Sequence, residues 1–142
     1  MKGDFEEGMA LIDRGEELFA ATGARVYGFF YPALEADLWL RAGNVEKGLQ
    51  AVQRGYDSMI GSDVRYFHSE VQRCEAELRA LAGASDDEVE RLFDTAIATS
   101  EAQHAKSLTL RTMTSFAAWL TRKGRSEEAS SPPPRKRPGA RG

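Results

Sequence analysis

The sequence predicts an all-α protein of antiparallel helix pairs stacked as a right-handed repeat array of roughly three units, incomplete at both ends. Three observations carry that expectation. The segment Gly3-Asp-Phe-Glu-Glu-Gly-Met-Ala-Leu-Ile-Asp-Arg-Gly15 recurs as Gly43-Asn-Val-Glu-Lys-Gly-Leu-Gln-Ala-Val-Gln-Arg-Gly55. Gly3, Gly43, Gly83 and Gly124 stand 40, 40 and 41 residues apart. Before the last three, an alanine at constant offset (Ala36, Ala76, Ala117) is followed two residues later by Leu38, Leu78 or Trp119. A small residue lets a neighbouring helix approach, and the large one fills the space beside it.

The elements follow in order. Phe5, Met9, Ile12, Leu18 and Phe19 make a stripe at helical spacing over residues 1–22. Gly8 and Gly15 interrupt it, and Gly48 and Gly55 recur in the same places one unit later. Each costs about 1 kcal/mol against alanine in a helix interior, so close helix contact is the expected compensation. Tyr27, Phe30, Leu34, Leu38 and Trp39 form the apolar side of a helix over 25–42, in which Pro32 stands in the first turn or makes a kink. A second helix over 44–60 completes that pair, ending at Gly61-Ser-Asp63.

Val71, Cys74, Leu78 and Leu81 mark the next first helix, over 64–82, and Ser85 or Asp86 is the expected N-cap of its partner through Val89, Leu92, Phe93, Ala96 and Ile97. Residues 105–123 are again a first helix. Gly124-Arg-Ser-Glu-Glu-Ala129 begins a second one that gives way to Ser-Ser-Pro-Pro-Pro-Arg-Lys-Arg-Pro-Gly-Ala-Arg-Gly. The repeat domain therefore spans 1–129, and 130–142 is expected to be a disordered, basic, proline-rich tail. The pattern starts and stops inside a unit, which predicts a piece of a longer array. Phe5, Met9 and Ile12 at one end, and Phe116 and Trp119 at the other, are expected to lack a neighbour. Open end faces make an end-to-end homodimer a further expectation.

Charge and composition exclude several classes. The net charge is −3, but the tail from Pro132 carries Arg135, Lys136, Arg137 and Arg141, so the remainder is −3 − 4 = −7. An acidic body argues against a nucleic-acid-binding surface. The longest apolar run, Tyr27 to Leu34, is broken by Gly28 and Pro32 and is too short to span a membrane. The start, Met-Lys-Gly-Asp-Phe-Glu-Glu, has no apolar leader core, and the single Cys74 has no internal disulfide partner, so a cytoplasmic protein is expected.

No residue pattern supplies a catalytic constellation. His68, Glu70 and Cys74 lie close in sequence, but only Glu70 and Cys74 share a helix face, so packing is the expected role of Cys74 rather than metal ligation. His104 falls at the loop position of Gly23 and Asp63, with no partner for acid–base work. Gly-Asn-Val-Glu-Lys-Gly lacks the ending of a phosphate-binding loop. No cofactor and no metal is expected. The aromatic residues Tyr27, Phe29, Phe30, Tyr31, Tyr66 and Phe67 gather near the starts of two first helices, where packing is the main reading and an interface anchor the second.

Leu-Glu-Ala-Asp-Leu-Trp-Leu-Arg-Ala followed by Gly-Asn-Val-Glu-Lys-Gly, and Ala-Lys-Ser-Leu-Thr-Leu-Arg-Thr-Met-Thr-Ser-Phe-Ala-Ala-Trp-Leu near the end, resemble tetratricopeptide-like (TPR-like) repeats over residues 1–129. They are similar to the C-terminal arrays of bacterial signalling and transcription regulators that carry cyclase or ATPase domains elsewhere. The resemblance implies a non-enzymatic regulatory module for protein–protein or interdomain contact, whose partner is a protein, a peptide or another domain of a longer parent. The alternative it implies is an inactive C-terminal fragment of a class III adenylate or guanylate cyclase, or of an ATP-dependent transcription regulator. In such arrays the first helices line a concave groove. Carried over by position, the groove is lined by Phe30, Ala33 and Asp37, then Glu70, Arg73 and Glu77, then Arg111, Thr114 and Ala118.

Overall fold

Helix boundaries follow local chemistry. In the computed structural model, which describes residues 2–23, 30–63 and 65–131, seven helices are formed among the described residues and no strand. They are α1 (Lys2–Ala21), α2 (Phe30–Arg41), α3 (Val45–Met59), α4 (His68–Leu81), α5 (Asp86–Ala102), α6 (Lys106–Arg122) and α7 (Ser126–Ala129). Asn44 caps α3 by accepting from the Lys47 amide, and Ser85 caps α5 by accepting from the Glu88 amide. Gly43 and Gly83, at φ 71° and 82°, take the left-handed conformation that stops α2 and α4. The recurring glycine of the sequence is thus mainly a helix stop. Gly3 differs, lying within α1.

Pro32 lies in the first turn of α2, where its missing amide costs no hydrogen bond. The part of the expected helix before Phe30, together with Tyr27 and Phe29, lies outside the described residues, as does the tail from Pro132. The α4 helix starts at His68 rather than at 64, with Phe67 in the capping position.

Side-chain pairs give the packing order. Gly8 meets Leu38, Gly15 meets Tyr31 and Phe5 meets Trp39, so α1 runs antiparallel to α2. Lys47 over Trp39 and Arg54 against Glu35 make α2 and α3 antiparallel. Gly48 against Leu78 and Gly55 against Val71 do the same for α3 and α4, and Phe93 against Phe116 with Ser100 against Thr109 for α5 and α6. In addition α4 packs on α2 and α6 on α4, side by side and in the same direction, as Phe30 against Phe67 with Asp37 against Arg73 show for the first pair, and Glu70 against Arg111 with Ala76 beside Trp119 for the second.

The core has two parts. Ala33, Ala36, Ala51, Val52, Met59, Val71, Cys74 and Leu78 pack between α2, α3 and α4. Ala76, Val89, Phe93, Trp119 and Leu120 pack between α4, α5 and α6. The expectation that Ile12 and Trp119 would lose a neighbour at the two ends is corrected. Phe5 lies 4.8 Å from the Trp39 ring, Ile12 and Trp119 are buried, and Phe116 stacks on Phe93 at 4.9 Å. Among the large apolar side chains left exposed are Leu11 and Leu18 on α1, Ile60 after α3, Leu81 at the end of α4 and Leu110 on α6. No helix among the described residues is long and apolar enough to cross a membrane.

Candidate functional site

The parallel course of α2, α4 and α6 aligns their C-terminal halves and leaves a cleft of about 810 Å³ between them. Leu40, Ala80, Leu81 and Trp119 supply its apolar surface, and Arg41, Arg111, Arg122 and Lys123 its cationic rim. Asp37, Arg73 and Glu77 line it as well. Four of the residues expected to line a groove are therefore in the cleft: Asp37, Arg73, Glu77 and Arg111. Glu70 joins them from below through its ion pairs.

These five side chains form one ion network across three helices. The Arg73 guanidinium, only 4% exposed, donates to Asp37 at 2.8 Å, to Glu70 at 2.7 Å and to Glu77 at 2.5 Å. Arg41 reaches the other Asp37 oxygen at 2.8 Å, and Arg111 reaches Asp37 at 3.4 Å and Glu70 at 3.1 Å. Burial alone would raise the Asp37 carboxyl, but the hydrogen bonds from Arg73 and Arg41 outweigh it and hold its pKa below the usual carboxylate value. Burial likewise opposes the charge on Arg73, and its bonds to Glu70 and Asp37 prevail, so it stays protonated.

The remaining expected groove residues lie elsewhere. Phe30 packs on Phe67 with ring centroids 4.9 Å apart, away from the cleft. Ala33 is buried in the core of α2, α3 and α4, because the face of α2 that carries it turns toward α3. Thr114 and Ala118 are exposed on α6 outside the cleft lining. The sequence reading missed Arg41, Leu40, Leu81 and Ser115. The signal available was position: Leu40, Arg41 and Leu81 sit in the last turns of first helices, one turn beyond the residues carried over.

The metal reading is tested by the same network. Ligand atoms of Asp37, Glu70 and Cys74 lie within 4.8 Å of one another, a set different from His68, Glu70 and Cys74. The Arg73 guanidinium bonds to both carboxylates and contacts the Cys74 sulfur at 3.4 Å, so a cation of the protein already holds these donors. Burial pushes the Cys74 thiol up to about 12, against the pull of Arg73, which keeps it neutral. His68 instead stacks edge-on to Tyr56 at 5.9 Å. His104 is exposed in the loop before α6, as its position in the repeat indicated.

Comparison with protein-family models, curated proteins and solved structures finds no match to this chain.

Proposed function

We propose that this chain is a non-enzymatic interaction module, a TPR-like right-handed array whose first helices α2, α4 and α6 hold a segment of another protein or domain. The observation that carries the reading is the cleft itself. It is open, lies between three parallel helices, and joins the exposed Leu81, with the partly buried Leu40 and Ala80 beside it, to a rim of cations. A preorganised surface of this kind loses little freedom when a segment binds. The contacts Gly8–Leu38 and Gly48–Leu78, and Gly15–Tyr31 and Gly55–Val71, each recur at an interval of 40 residues and support the array. A regulatory role in a bacterial signalling protein, in the cytoplasm, accords with the resemblance of residues 1–129.

The test is selection of peptides from a displayed library against the full chain, followed by binding to Ser115→Trp and Leu81→Glu variants, which fill or charge the cleft. Selected peptides should bind the parent and fail on both variants. Peptides that bind all three proteins alike would place recognition outside the cleft and remove this reading.

A further inference from the structure

The charges of the cleft are sorted by depth. Arg41, Arg111 and Lys123 expose 68%, 47% and 45% of their side chains, and Arg122 is exposed and makes no ion pair among the described residues. The acids lie behind them: Asp37, Glu70 and Glu77 expose 17%, 8% and 20%. A ligand entering the cleft therefore meets cations first, on a body whose net charge is −7 without the tail.

Arg41 and Arg122 stand in the last turns of α2 and α6, where a cation offsets the helix dipole whatever its other role. Arg111 has no such reason. It lies in the second turn of α6, well away from the C-terminal end where the dipole favours a cation. Its partners are also second-hand, because the Asp37 and Glu70 oxygens it touches are the ones Arg73 already holds at shorter range. Arg73 satisfies those carboxylates without it. Arg111 is thus a cation that an incoming carboxylate can take over without leaving a buried acid unpaired.

We infer that the cleft recognises an acidic segment with an apolar anchor. Its carboxylates exchange onto Arg111, flanked by Arg41 and Arg122, and an aliphatic or aromatic side chain lies on the exposed Leu81 and on the partly buried Leu40 and Ala80 beside it. The inference rests on the reading of this cleft as a segment-binding site and adds the chemistry of the segment. Charge complementarity favours a protein ligand of this sign over a basic one.

The experiment is fluorescence anisotropy on the full chain with a labelled peptide Glu-Asp-Leu-Glu-Glu-Leu-Asp-Glu and its amide analogue Gln-Asn-Leu-Gln-Gln-Leu-Asn-Gln. The acidic peptide should bind, with the analogue about tenfold weaker or worse. Arg111→Gln, checked for an unchanged far-ultraviolet spectrum, should weaken the acidic peptide about threefold to fivefold. Equal binding of the two peptides would overturn acid recognition and leave the cleft reading standing. Binding of the acidic peptide that survives both Arg111→Gln and Leu81→Glu would place it outside the cleft, as on the basic residues 135–141, and overturn the inference. Failure of both peptides, with library peptides still dependent on Ser115 and Leu81, would overturn the acidic chemistry alone.

Discussion

Arg73 is surrounded by carboxylates on two helices, and what matters for stability is what would remain if it were removed. An Arg73→Met variant fills much of the same volume but leaves Asp37, Glu70 and Glu77 crowded together with only Arg41 and Arg111 at the edge. Breaking a buried ionic group by deleting one partner costs about 3–5 kcal/mol. Urea denaturation should show a loss of that order, and a change under 1 kcal/mol would mean the network contributes little. The same network sets the acid limit. The folded pKa of Asp37 lies below its unfolded value, so its contribution is complete above about pH 4 and is lost as pH falls through the folded value. The urea midpoint should therefore fall below about pH 4, and fall less steeply in Asp37→Asn. His104 offers the opposite kind of change. At φ 55° it takes the conformation glycine adopts after other helices, so His104→Gly should raise stability by about 0.5–1 kcal/mol in the same assay. The sequence placed Asp37, Glu70, Arg73, Glu77 and Arg111 on related faces of their helices. It did not show that Arg73 turns inward, because burial of a cation depends on partners from α2 and α6 that lie about 40 residues away.

At the scale of the element, the glycines inside the second helices are explained by contact. A Cβ on Gly48 would stand 2.5 Å from Leu78 Cδ2 and 2.9 Å from Cδ1, and Leu78 is fully buried with no room to retreat. A Cβ on Gly8 would meet Leu38 at 3.3 Å, and Leu38 is only partly buried. Helix propensity favours alanine by about 1 kcal/mol at either site, while overpacking costs about 1–3 kcal/mol. Gly48→Ala should thus lose about 1–2 kcal/mol in chemical denaturation, and Gly8→Ala should stay within about 0.5 kcal/mol of the parent. Equal effects at the two sites would remove the packing explanation. The helix contacts were readable because a glycine facing a large side chain, Gly8 on Leu38 and Gly48 on Leu78, survives in sequence as a spacing. The start of α4 was not, since Phe67 continues the helical spacing of Val71, Cys74 and Leu78, yet it stands before the helix after a loop that Gln103 holds by a bond to the Arg65 carbonyl. The cleft was half readable for a related reason. Position along a repeat gives the face of a helix, but the opening between helix ends depends on how α2, α4 and α6 align.

The two core regions meet at α4. Val71, Cys74 and Leu78 face α2 and α3, and Ala76 faces α5 and α6, so this helix links both halves of the molecule. Helix α1 packs on α2, and Leu11 and Leu18 on its other side are exposed. In a chain of elements that touch mainly their neighbours, stability is a sum of unit and interface terms, and an element with one interface opens at lower cost than one with four. Hydrogen exchange under native conditions should therefore rank the helices, with α1 amides exchanging by local opening and α4 amides only with global unfolding. Cys74→Ala, which removes a buried sulfur from the shared helix, should speed exchange in α2 to α6 together, whereas Ile12→Ala on α1 should speed exchange in α1 and leave α4 unchanged. If Ile12→Ala accelerated α4 as much as α1, the helices would form one cooperative block and the cleft could not be treated as a frame independent of α1. If α1 alone responds, the cleft between α2, α4 and α6 stays ordered while its flank opens, which is the condition a preorganised binding surface needs.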